Sequence, residues 1–169
     1  ISRQGRLLYS RGYGWIDRNH SQVTPPDALM RIASVTKPIT AAAVKAAIKR
    51  QLLTPETKAF ELIAIQPRRG KIVDDRIHTI TIAQLLDHRG GWDRDATFDP
   101  VFRTKQIENR FRLQGPATPV NVIEFMLTQP LQFAPGEKSV YSNFGYCVLG
   151  RCLEKSVGKP YFDCVQQLV

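Results

Sequence analysis

"SVTKPITAAAVKAAIKR", residues 34–50, sets a serine and a lysine three positions apart in front of an alanine-rich run. Ala41, Ala42, Ala43, Val44, Ala46, Ala47 and Ile48 favour helix and are apolar on most sides. They predict a central, buried helix with Lys45, Lys49 and Arg50 along its one wet edge. Pro38 fits the first turn, where its missing N–H has no intrahelical partner to lose, and this places the helix start close to Ser34.

Ser34 admits two roles. Serine is a preferred N-cap, and the S-x-x-K spacing alone is weak, because Ser156-Val157-Gly158-Lys159 matches it as well across a helix end. The other role is a nucleophile with Lys37 as its base. Residues three apart share a helix face, and the helix N-terminus favours developing negative charge. A serine activated by a lysine is a recognised pair for acyl transfer.

A second polar group bears on the choice. Tyr141-Ser142-Asn143 is the only Y-x-N in the chain and lies in a tight approach to a helix. Tyr141 could relay a proton between Ser34 and a leaving group, and the Asn143 amide could hold Lys37 or a substrate carbonyl. Their ordinary roles would be a half-buried tyrosine and an N-cap.

Working outward, Gly5 to His20 holds two apolar and aromatic runs broken by Gly12 and Gly14, which predicts antiparallel strands with a turn. Ala28 to Ile32 adds a short extended piece after Pro25-Pro26. Thr81-Ile82-Ala83-Gln84 fits a capping box, its helix stopping by His88 to Gly91. Residues 92–117 are polar and irregular. Thr118-Pro119 opens a helix through Met126. A further helix runs from about Asn143 to Ser156 with Gly158 as its stop, and Pro160 opens a last one.

Composition bounds the partners. The chain has 169 residues, 43% of them hydrophobic, which suits one packed domain. Its net charge of +9 is scattered, dense only at Arg68, Arg69 and Lys71 and between Arg103 and Arg112, without interleaved aromatics, so no nucleic acid is expected. Cys147, Cys152 and Cys164 cannot all pair and are expected as small buried hydrophobes. With His20, His78 and His88 dispersed, no metal is expected. No stretch of eighteen apolar residues would form a transmembrane segment. Ile1 to Gly5 leads straight into strand-like sequence, so no signal peptide is expected and the chain is expected to be truncated.

The blocks "RGYGWID", "RIASVTKPITAAAV", "LLDHRGGW" and "PGEKSVYSNFGYCVLGRCLEKSVGKPY" together resemble the serine β-lactamase and penicillin-binding-protein superfamily. The branch holding class C β-lactamases, D,D-peptidases and related esterases is nearest. The resemblance implies an α+β, β-lactamase/transpeptidase-like fold. Residues 1–32 would be N-terminal strands and 33–169 a helical region within one truncated domain, the C-terminal sheet strands lying outside the chain. It implies Ser34 as the acylated nucleophile, Lys37 as its base and Tyr141 as the proton relay. Asn143 would contact Lys37 and the substrate, and His88 would be structural. The substrate would be a β-lactam, D-amino-acid peptide or ester, with no cofactor, in a periplasmic or secreted bacterial protein. A third family motif, Lys-Thr-Gly or a variant, is absent here. The fragment is therefore expected to be weak or inactive unless a second chain supplies the missing strands. The alternative is a catalytically dead relative that binds wall peptides or a protein partner.

Overall fold

In the computed structural model, which describes residues 1–169, the longest helix is one that begins at the Tyr-x-Asn stretch. The elements are β1 (Ser2–Arg3), β2 (Arg6–Leu7), α1 (Thr36–Lys49), α2 (Ala59–Ile63), α3 (Ile82–Leu86), α4 (Thr104–Phe111), α5 (Pro119–Met126), α6 (Asn143–Val157) and α7 (Tyr161–Leu168). Three 3-10 turns, Ala33–Val35, Asp75–Thr79 and Pro100–Phe102, lie between them. The chain divides into two compact units, Ile1–Ser34 and Val35–Val169.

The second unit is built around α6. The Ser142 hydroxyl caps it by accepting from the Gly145 N–H at 3.0 Å, and Gly158 ends it in the left-handed region at φ 73°. Phe144, Gly145, Val148, Leu149, Gly150, Cys152 and Leu153 are all buried, which takes up well over half of the helix circumference. Helices α1, α2, α3, α5 and α7 pack on it. The expectation of a central helix is therefore corrected, since α6 takes that place, while α1 keeps its expected wet edge of Lys45, Lys49 and Arg50. Its buried residues, Thr40, Ala43, Val44 and Ala47, form a single stripe, and Ala42, Lys45, Lys49 and Arg50 face solvent.

Local signals explain the shorter helices. Thr81 and Gln84 form the expected capping box at α3, and Thr118 and Asn121 form another at α5 with Pro119 in the first turn. Residues 92–117 are not the irregular excursion expected of them. Asp99 caps the Pro100–Phe102 turn, and α4 follows, burying Ile107 and Phe111 one turn apart beneath an otherwise charged surface. Arg69 donates to the Arg110 carbonyl at 3.3 Å and Arg68 lies 5.9 Å from the Phe111 ring, so the two basic runs meet. Cys152 and Cys164 are buried and Cys147 partly so, all as free thiols; burial pushes Cys147 up to about 11 and Cys152 to about 12.

In the first unit the strands are shorter than expected and begin earlier. Ser2 pairs with Leu7 and Arg3 with Arg6 around the Gln4-Gly5 turn, and a lone bridge joins Trp15 to Val23. Ala28 to Ile32 forms no strand. A two-stranded ribbon is marginal by itself, and no hydrophobic side chain of this unit is buried to reward longer pairing.

Candidate active site

Ser34 is exposed and occupies the 3-10 turn Ala33–Val35, which leads into α1. It is not the N-cap. That position belongs to Val35, in helical geometry at φ −64° and ψ −16°, and no side-chain cap bond is made there. The preceding residue, Ala33, has φ 45°, a conformation that costs a residue bearing a Cβ and that persists where surrounding structure imposes it. Helical geometry then sets Lys37 in the first turn of α1, half-buried.

Lys37 meets the start of α6. Its Nζ donates to Asn143 Oδ1 at 2.5 Å, joining residues 106 apart in sequence, and lies 4.6 Å from the Tyr141 ring centroid and 5.7 Å from that of Tyr146. Because Ser142 is the cap, the Asn143 amide has no capping duty and is turned to other partners. The Tyr146 hydroxyl donates to the Leu86 carbonyl at 3.2 Å, and burial raises its pKa above the ordinary tyrosine value.

The approach to α6 is fixed by the loop after α3. His88, at φ 58°, accepts the Ser142 N–H on Nδ1 at 3.1 Å, and its carbonyl accepts from Val140 N–H at 2.9 Å. The Arg89 carbonyl accepts from Gly136 N–H at 2.8 Å. An Nδ1 that accepts is unprotonated. Burial first, and then the charge of Lys37, hold the His88 pKa below the usual histidine value, while Asp87 pulls the other way. The His88 ring lies 4.8 Å from that of Tyr141 and 5.0 Å from that of Tyr146. Gly91 is required next to it, since at φ 105° a Cβ would come within 2.9 Å of the Phe133 carbonyl oxygen.

One participant was not singled out from the sequence. Asp99 Oδ2 accepts from Asn143 Nδ2 at 2.6 Å, and its Oδ1 accepts the Val101 N–H at 3.1 Å. Arg94 Nη1 stands 3.9 Å from Asp99 Oδ2, and its guanidinium carbon 4.9 Å from the Tyr141 ring centroid. The Asp-Pro pair signals a helix-type turn. Nothing local signals a partner 44 residues away. Together Trp92, Arg94, Phe98, Asp99, Tyr141 and Asn143 line a groove beside the α6 N-terminus.

The fold thus brings Lys37, Tyr141 and Asn143 together within the second unit. Ser34 ends the first, three residues before Lys37 along the chain. An amine held by an amide oxygen over a phenol ring has the groups needed to move a proton.

Comparison with known proteins places these features in context. The family model described as Beta-lactamase matches residues 1–169. Esterase EstB of Burkholderia gladioli is 32% identical over 172 residues, covering 100% of this chain and 43% of that protein. The "Probable fimbrial assembly protein FimD, serogroup H1" of Dichelobacter nodosus is 37% identical over 131 residues, covering 78% of this chain and 30% of the relative. The chain therefore spans less than half the length of either relative. Among solved structures, EstCE1, described as a hydrolase with promiscuous acyltransferase activity, superposes with a TM-score of 0.74 at 22% identity, covering 99% of this chain and 44% of that one.

Proposed function

The chain belongs to the beta-lactamase family, with the β-lactamase/transpeptidase-like α+β fold, and on that premise we propose that it is part of a serine hydrolase working through an acyl-enzyme. The observation that carries the proposal is the 2.5 Å bond from Lys37 Nζ to Asn143 Oδ1, which joins the S-x-x-K helix to the Tyr-x-Asn approach with the Tyr141 ring alongside.

In this mechanism Ser34 Oγ attacks the carbonyl carbon of an ester, D-peptide or β-lactam while Lys37 Nζ takes the hydroxyl proton. The carbonyl π pair moves onto oxygen, where the Ser34 N–H and the nearby helix start favour the negative charge. When the tetrahedral centre collapses, the bond to the leaving oxygen or nitrogen breaks, and Tyr141 relays the proton to it. Asn143 holds Lys37 and contacts the substrate. Water then attacks the acyl-serine, releasing the acid and restoring Ser34.

Strands from outside these 169 residues, in the same polypeptide or a second chain, belong to the proposal. The exposed Tyr13, Trp15 and Ile16 of the first unit are in keeping with it. The 169 residues alone are accordingly proposed to be weak or inactive.

A panel of p-nitrophenyl esters, D-amino-acid amides and a chromogenic cephalosporin, given to the full-length protein and to its Ser34→Ala variant, tests the function. Turnover of at least one class, abolished in Ser34→Ala, is expected. Turnover that survives Ser34→Ala, or none with any class, would contradict it.

A further inference from the structure

We infer that Asp99 is a positioning residue that fixes which end of the Asn143 amide faces Lys37, an inference that rests on the acyl-enzyme proposal above. The Asn143 side chain has one accepting end and one donating end. In the structure its oxygen faces Lys37 and its nitrogen faces Asp99, with Nδ2 to Oδ2 at 2.6 Å.

The order matters because of what Lys37 must do. A lysine that takes the Ser34 proton needs its nitrogen lone pair unoccupied at that moment. With the Asn143 oxygen accepting one N–H of the amine, the lone pair is directed away from Asn143. With the amide reversed, Nδ2 would donate into that lone pair and occupy the base. An aspartate carboxylate has acceptors and no proton to give, so at position 99 it selects the productive order.

The surroundings of Asp99 support the assignment. Its side chain is 9% exposed, its Oδ1 is committed to the Val101 N–H, and Oδ2 is the oxygen that Asn143 uses. Arg94 Nη1 stands 3.9 Å from Oδ2. Asp99 also sits on the wall of the groove, on a turn capped by its own side chain, which makes it a rigid reference for Asn143.

Asp99→Asn is the informative variant. Its oxygen can still cap the turn, but an NH2 group replaces Oδ2 and confronts the Asn143 NH2, which favours reversal of the amide. The test is the rate at which a fluorophosphonate acylates the full-length protein. It is measured for Asp99→Asn and for Asp99→Ala, each in the native and the Asn143→Ala backgrounds, with melting temperatures recorded in parallel. Slowing by about a hundredfold is expected in the native background, the size typical of a misplaced reacting group, and less than about twofold where residue 143 is alanine. Equal slowing in both backgrounds, or none in either, would overturn the positioning role while leaving the Ser34 reaction in place. Failure of the unaltered protein to label would remove the acyl-enzyme proposal itself and this inference with it.

Discussion

The unit Val35–Val169 buries Val44, Ile82, Ile123, Val148 and Leu149 completely, whereas the unit Ile1–Ser34 buries no hydrophobic side chain and leaves Trp15 at 50% and Tyr13 at 70% exposure. Both are rich in apolar residues. The difference lies in partners: the helices of the second unit have one another, with α6 in their midst, while the first unit holds a hairpin of two-residue strands. Apolar sequence becomes a core only where something packs on its other side.

The largest expected effect breaks the second unit. Phe144 is 1% exposed and meets the Trp92 ring edge-on at 4.6 Å, so Phe144→Ala should cost about 3–5 kcal/mol in urea unfolding. A smaller, pH-dependent effect sharpens the picture of how that unit is tied. Asp74 accepts from the Arg76 side chain and from the N–H groups of Arg76 and Leu131, and these bonds, the Arg76 side chain foremost, hold its pKa at about 2. A depressed carboxylate contributes fully above its unfolded value of about 4 and loses the contribution as pH falls toward 2. Asp74→Asn should therefore flatten the loss of stability over that interval, read from melting temperatures. The smallest effect belongs to the first unit. Leu29 is fully exposed, and Leu29→Ala should change stability by no more than about 0.5 kcal/mol, measured in the same urea unfolding series. A cost there near that of Phe144→Ala would erase the contrast between the units.

The same contrast explains what the sequence disclosed. Helices α3, α5 and α6 announce themselves through caps next door to them, Thr81 with Gln84, Thr118 with Pro119, Ser142 before α6 and Gly158 after it, because capping is a local bond. Strand length is not local, so the aromatic run from Gly5 to His20 suggested more pairing than its partners allow. Helix α4 was missed because only Ile107 and Phe111 carry its buried stripe. The candidate site divides likewise. Lys37, Tyr141 and Asn143 stood out as motifs, and the fold brings them together. Asp99 did not, since its importance lies in a bond to Asn143 across 44 residues of chain. The cap role considered for Ser34 went to Val35, since a 3-10 turn starts the helix later than Pro38 suggested.

Everything proposed about chemistry turns on whether Ser34 Oγ forms a covalent bond. Treating the full-length protein with a fluorophosphonate, digesting it and sequencing the modified peptide by mass spectrometry decides this directly. The added mass is expected on Ser34, in the peptide that contains Lys37 or ends at it, with no modification in Ser34→Ala. An unmodified Ser34 peptide, or the mass on Ser142 or Ser156 instead, would contradict it.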